Sequence, residues 1–114
     1  MNWWYLTSYF FGGLFLCNAI PHIASGSMGR PFQSPFAKPP GQGLSSPTVN
    51  VLWGFFNLIA AYVLILRVGD FSPQSTAHAA TLGLGFLSIS LLNAHHFGRF
   101  HGGDLQGNGN SPKP

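Results

Sequence analysis

The stretch PTVNVLWGFFNLIAAYVLIL, Pro47 to Leu66, contains no Asp, Glu, Lys or Arg. About 20 residues of α-helix rise about 30 Å, the depth of the hydrocarbon in a bilayer. An uncharged helix of this length predicts a membrane span; a surface helix would keep a polar face. Ser46 and Pro47 mark its start. Serine caps free N–H groups, and proline at the first helical position gives up no hydrogen bond. Arg67 closes it.

The same pattern recurs on both sides. Residues 1–29 and 71–98 are also free of charged side chains, and only 6% of the whole chain is charged, with no Glu. Ordinary soluble domains carry roughly 25%. The reading is therefore all-α, with three transmembrane helices in a small bundle over about 3–23, 47–66 and 73–97. Ser72-Pro73 repeats the start signal for the third helix, and Gly98 is its expected stop. A membrane β-barrel would need segments of about ten residues in strict alternation, and none is present. The start lacks the positive n-region of a secretory signal, so the first segment is read as a span.

Between the first two spans, residues 24–46 hold Pro31, Pro35, Pro39 and Pro40 with Gly26, Gly29, Gly41 and Gly43. That density forbids a continuous helix. Residues 1–101 are thus a membrane domain with a Pro/Gly-rich connector. Residues 102–114 are an expected disordered tail, because they lack apolar groups to bury. Orientation follows the basic residues. Arg30, Lys38, Arg99 and Lys113 fall on one side and Arg67 on the other. The expectation is a multi-pass protein of the cell inner membrane, with a cytoplasmic connector and C-terminus and the N-terminus outside. Arg30 and Lys38, with Phe32 and Phe36, are candidates for contact with lipid headgroups and the interface. The net charge of +3 is scattered along the chain and forms no patch, which excludes nucleic acid as a partner. Cys17 stands alone and cannot form an internal disulfide.

Polar side chains inside the spans are where function could be written. Asn18 and His22 lie four apart on one face of the first helix. Asn50, Gly54, Asn57 and Ala61 form a narrow stripe on the second. The third carries Ala79, Gly83, Ser90 and Asn93 on one face and Thr81, Gly85 and Ser88 on another, then His95 and His96 at its end. Alternating helix directions bring Asn18, His22, Asn50, Asn93, His95 and His96 toward one end of the bundle. The bland reading is helix packing, since small and amide groups let backbones approach and bond across the contact. The sharper reading is ligation. Imidazoles on separate helices can bind a metal or a haem, with His22, His95 and His96 as candidates. No Ser-His-acid set and no intramembrane acid is present, so no enzyme activity is expected.

The runs Asn18-Ala19-Ile20-Pro21-His22, Gly29-Arg30-Pro31-Phe32-Gln33-Ser34-Pro35-Phe36-Ala37, Pro39-Pro40-Gly41-Gln42-Gly43-Leu44-Ser45-Ser46-Pro47 and Asn50-Val51-Leu52-Trp53-Gly54 resemble those of an uncharacterised family of small bacterial multi-pass integral membrane proteins. The resemblance covers roughly residues 10–66. It implies a bacterial inner-membrane setting and no particular activity. The expected role is a non-enzymatic binding or accessory protein with no resident cofactor. It would meet the lipid bilayer and either a second copy or a larger membrane partner through the Asn/Gly stripes. Two rivals are a haem- or metal-binding redox component and a small-molecule or lipid transporter working through Asn18, His22, Asn57 and Asn93.

Overall fold

The computed structural model describes residues 2–103, so the expected tail lies outside the described residues from residue 104 onward. The chain is mostly helical. Helix α1 spans Trp3–Ser27 and is followed by two short strands, β1 (Phe32–Gln33) and β2 (Leu44–Ser45). Helix α2 covers Pro47–Tyr62 and runs into a π-helical turn, Val63–Arg67. Helix α3 covers Thr76–His101.

The helix ends have local causes. Ser46 Oγ accepts from the Val49 N–H at 3.2 Å, with Pro47 in the first turn, as the sequence predicts. The start of α3 differs from the expected Ser72-Pro73. Ser75 is the cap, its Oγ accepting from the His78 N–H at 3.3 Å. The Ser72 N–H instead donates to His78 Nδ1 at 3.0 Å, which holds residues 72–75 in a separate turn. Gly98 does not end α3. The helix runs on to His101, and Gly102 takes the positive φ, 102°, that turns the chain away. Helix α1 likewise runs past Ile23. Pro21 sits inside it without breaking it, and Gly29, at φ 75°, follows its end.

Contacts along the helices fix their directions. Ser8, Gly12, Asn18 and His22 meet Leu64, Ile65, Asn57 and Asn50, so α1 and α2 are antiparallel. Gly13, Cys17 and Asn18 meet Leu82, Ser90 and Asn93, so α1 and α3 are parallel. Helix α1 packs on both neighbours, which scarcely meet each other. The Ser8 hydroxyl donates to the Leu64 carbonyl inside the π turn, a carbonyl set off from regular α-helical bonding.

Two helices are long and apolar enough to cross a membrane: Pro47–Arg67 and Thr76–His101. That is one fewer than the sequence predicts. Helix α1 is uncharged and 25 residues long, but Asn18, Pro21 and His22 lower its mean hydropathy. Those polar groups belong to the middle helix because it has a neighbour on each side to bond.

Glycines set the spacing. A Cβ on Gly85 would collide with the Phe10 carbonyl, and one on Gly13 with the Leu82 carbonyl. A Cβ on Gly54 would press on the Ile23 side chain and backbone. Gly83, expected on the contact face, has nothing within 4 Å. Gly85→Val should therefore cost about 1–3 kcal/mol through overpacking. Gly83→Ala should be neutral or gain up to about 1 kcal/mol from helix propensity. Equilibrium unfolding in detergent measures both, and equal effects at the two positions would contradict this packing.

Candidate functional site

The polar side chains gather at the end of the molecule where the connector joins α1 to α2. Asn18 is the hub. Its Nδ2 donates to Asn57 Oδ1 on α2 at 3.1 Å. Its Oδ1 accepts from Asn93 Nδ2 on α3 at 3.1 Å. Asn57 passes the chain on, donating to the Trp53 carbonyl at 2.8 Å. One carboxamide thus ties all three helices.

One turn toward the connector, His22 is buried, with Nδ1 2.8 Å from Asn50 Oδ1. Asn50 is buried too. Its amide nitrogen faces three carbonyls, those of Phe32, Ser45 and Ser46, at 3.1–3.2 Å. An NH2 group must face carbonyls, so the oxygen of Asn50 is the atom turned to His22. His22 Nδ1 therefore carries the hydrogen and donates it. Nε2 is left as a bare acceptor, and no hydrogen bond engages it among the described residues.

The connector folds over this end as a cap. Phe32 pairs with Ser45 and Gln33 with Leu44 in an antiparallel ladder. The Ser34 and Ser45 hydroxyls bond to each other, and the Gly41 N–H donates to the Ser34 carbonyl at 2.8 Å. Gly41 turns at φ 73°. Helix α3 latches the cap twice. Arg99 can only donate, so its 2.7 Å contact makes His96 Nδ1 an acceptor and places the hydrogen on Nε2. That nitrogen donates to the Gly41 carbonyl at 2.7 Å. His101 Nε2 lies 2.8 Å from Gln33 Oε1.

Aromatic rings fill the space between cap and helices. Phe32 stacks on His101 at 5.0 Å and packs against Phe97 at 4.7 Å. His22 lies edge-on to Phe32, Trp53 and Phe97, with ring centroids 5.5, 6.3 and 6.1 Å away. A cavity of about 360 Å³ remains beneath the cap. Asn18 and His22 from α1, Trp53 from α2, Phe97 from α3 and Pro35 and Pro40 from the connector are among the residues lining it. Among the described residues the buried Trp53 indole Nε1 has no hydrogen-bond partner.

The structure sorts the sequence candidates. Asn18, His22, Asn50, Asn57 and Asn93 converge as bonded neighbours. Asn50, Gly54, Asn57 and Ala61 are the buried residues of α2. His95 is exposed, and both nitrogens of His96 are occupied by the cap and Arg99. His22, His95 and His96 are not assembled as a ligand set. Among the described residues no three His, Cys, Asp or Glu side chains are grouped to hold a metal ion. Arg30, Lys38 and Phe36 are exposed, the last packed against Trp53 at 5.1 Å. Phe32 departs from its expected interfacial place. Strand pairing turns it inward onto Phe97 and His101.

A second cluster, at the opposite end, escapes sequence reasoning. Tyr9 is fully buried. Its Oη lies 3.5 Å from Asp70 Oδ1, and its ring packs on Phe71 and His78 at 5.1 and 4.8 Å. The parallel register of α1 and α3 would have placed Tyr9 near His78, but a tyrosine among apolar residues carries no mark of its own.

No family model, curated protein or solved structure matches this chain.

Replacing Asn18 by Leu strands Asn57 Oδ1 and Asn93 Nδ2 together. The expected loss is about 1–3 kcal/mol, larger than for Asn93→Leu, which removes one inter-helix bond worth roughly 1 kcal/mol. Unfolding of detergent-solubilised protein compares the two, and an Asn18→Leu protein as stable as the parent would refute the hub.

Proposed function

We propose that this chain is an integral membrane protein that crosses the bilayer three times and acts by binding, without catalysis, at its connector-capped end. One observation carries the membrane reading: polarity runs inside out. The largest fully buried side chains are Tyr9, His22, Asn50, Asn57 and Ser34. Leu52, Phe55, Phe56, Leu91 and Leu92 are 55–65% exposed. Of the most apolar window of Pro47–Arg67 only 22% is buried within the chain, and of that of Thr76–His101 only 6%. A core helix of a soluble protein hides that surface. Water would penalise so much exposed apolar area, whereas hydrocarbon leaves it at no cost and rewards internal amide pairing. Hydroxyls on α3 fit the same solvent: Thr81, Ser88 and Ser90 each donate to the carbonyl four residues back, at 2.6–2.7 Å.

Helix α1 crosses with the others in this reading. Its polar groups are spent on α2 and α3, so lipid meets little of them. The capped end faces the cytoplasm of a bacterial cell, because Arg30, Lys38 and Arg99 cluster there. Trp3 and Trp4, 73% and 81% exposed, sit at the other interface, where amphipathic rings favour headgroups. The stripes of Asn and Gly are consumed between the chain's own helices, so the binding role falls on the chamber under the cap. The same geometry weakens the rivals. Asn57 and Asn93 each spend an amide bond on Asn18, and His96 has no nitrogen free for haem iron.

Two measurements test this. The chain should stay with membranes through an alkaline carbonate wash, and its release as a monodisperse soluble species would refute the placement. With Cys17 replaced by Ala, a cysteine substituted for exposed Lys38 should react with a membrane-impermeant thiol reagent in inverted vesicles and not in intact spheroplasts. The reverse pattern would invert the topology.

A further inference from the structure

The connector treats its two phenylalanines differently. Phe32 is turned inward onto Phe97, but Phe36 is left 63% exposed on the outside of the cap. Phe36 lies edge-on to Trp53, with ring centroids 5.1 Å apart, and Trp53 stacks on Phe56 at 5.6 Å. With Val49 and Leu52 these rings line an open groove of about 510 Å³. Val49, Leu52, Trp53 and Phe56 share one face of α2, so the groove runs from the start of that helix into the span. Every lining side chain is apolar or aromatic, which suits a hydrocarbon chain.

The mouth of the groove is basic. Lys38 is exposed and stands two residues beyond Phe36, at most about 7 Å along the chain. Its backbone packs on Gly43, where a Cβ would meet the Lys38 carbonyl. Gly43 leads through β2 into the first turn of α2, so Lys38 is held at the end of the helix that bears Val49. A lysine stem lies along apolar surface while its ammonium stays at headgroup level. Arg30 and Arg99 are also exposed at this end, and the carboxylate side chain among the described residues, Asp70, belongs to the opposite end. A second copy of the chain laid on this face would bring the same cations and no acid to offset them. A partner that is hydrocarbon below and negative above matches both parts.

We propose that this groove seats one acyl chain of an anionic phospholipid, with the lipid phosphate paired to the Lys38 ammonium. A zwitterionic lipid would fill the groove equally well but carry a cation of its own to the basic end. The proposal rests on the membrane placement and names a bound lipid of the leaflet at the capped end.

Native mass spectrometry of the detergent-purified full chain tests it, with phosphatidylglycerol and phosphatidylcholine of the same acyl chains as the two probes. The first phosphatidylglycerol should bind about fivefold more tightly, the effect of one cation near the surface. Lys38→Gln should abolish that preference, and Arg67→Gln, at the opposite end, should keep it. Phe36→Ala should weaken both lipids alike. Lys38 and Phe36 are exposed, so both variants should unfold at the parental temperature. Equal affinity for the two lipids, or a preference that survives Lys38→Gln, would overturn the phosphate pairing and the proposal with it. Unchanged affinity in Phe36→Ala would overturn the groove as the seat. A dimer that takes up no lipid and dissociates on Phe36→Ala would give the groove to a second copy instead. Any of these results can come from a chain that the alkaline wash leaves in the membrane, so failure of the lipid site and failure of the membrane placement are read apart.

Discussion

A single carboxamide, that of Asn18, holds the arrangement of the helices. In water such a group would gain little by bonding to protein, because solvent competes for both of its ends. Between three helices whose outer faces are Leu, Phe and Ile, it has only Asn57 and Asn93 to turn to. Each amide bond satisfies two groups at once, and α1 becomes the middle helix because it alone offers an amide to both sides. Glycine makes this possible. The bonds require close backbones, and Gly13, Gly54 and Gly85 remove the methyl groups that would hold them apart.

The next layer out depends on the same logic. His22 and Asn50 extend the polar seam to the connector, where the Asn50 side chain meets the backbone carbonyls of Phe32, Ser45 and Ser46. A Pro-rich segment cannot satisfy its own backbone by forming a helix. Its carbonyls need outside donors, and Asn50, His96 and, through Gln33, His101 supply bonds to it. The connector is therefore a roof fastened at several points, although its composition resembles that of a loose linker.

Much of this is legible in sequence where the signal is local. The stripe Asn50–Gly54–Asn57–Ala61 stands out against Leu, Phe and Ile, and Ser46-Pro47 announces the start of α2. Helix α3 is harder, because it is apolar nearly all round and its spacings admit more than one face. Gly83 and Gly85 are equally good candidates for a close approach, and only the register against Phe10 selects Gly85. Ser72 and Ser75 compete as caps. The choice falls to Ser75 because His78 Nδ1 takes the Ser72 N–H, a contact that the sequence does not announce. Phe32 turns inward through its pairing with Ser45, and Tyr9 meets Asp70 across 61 positions of sequence. Each of these is a long-range contact without a local marker.

The five histidines show how the tertiary structure converts a vague cluster into a specific chemistry. Spacing alone groups His22, His95 and His96 as equivalent ligands. The bonds make them unequal. His78 accepts from the backbone of Ser72, at the far end. His96 is bonded at both nitrogens and His101 holds Gln33, so both are committed to the roof. His95 faces outward. His22 is fixed in one tautomer by an asparagine and lines the cavity under the connector with its second nitrogen unbonded by the described residues. An imidazole committed on one side and open on the other is a ready acceptor for a hydroxyl. The four remaining histidines give it its setting by closing the roof or by lying elsewhere.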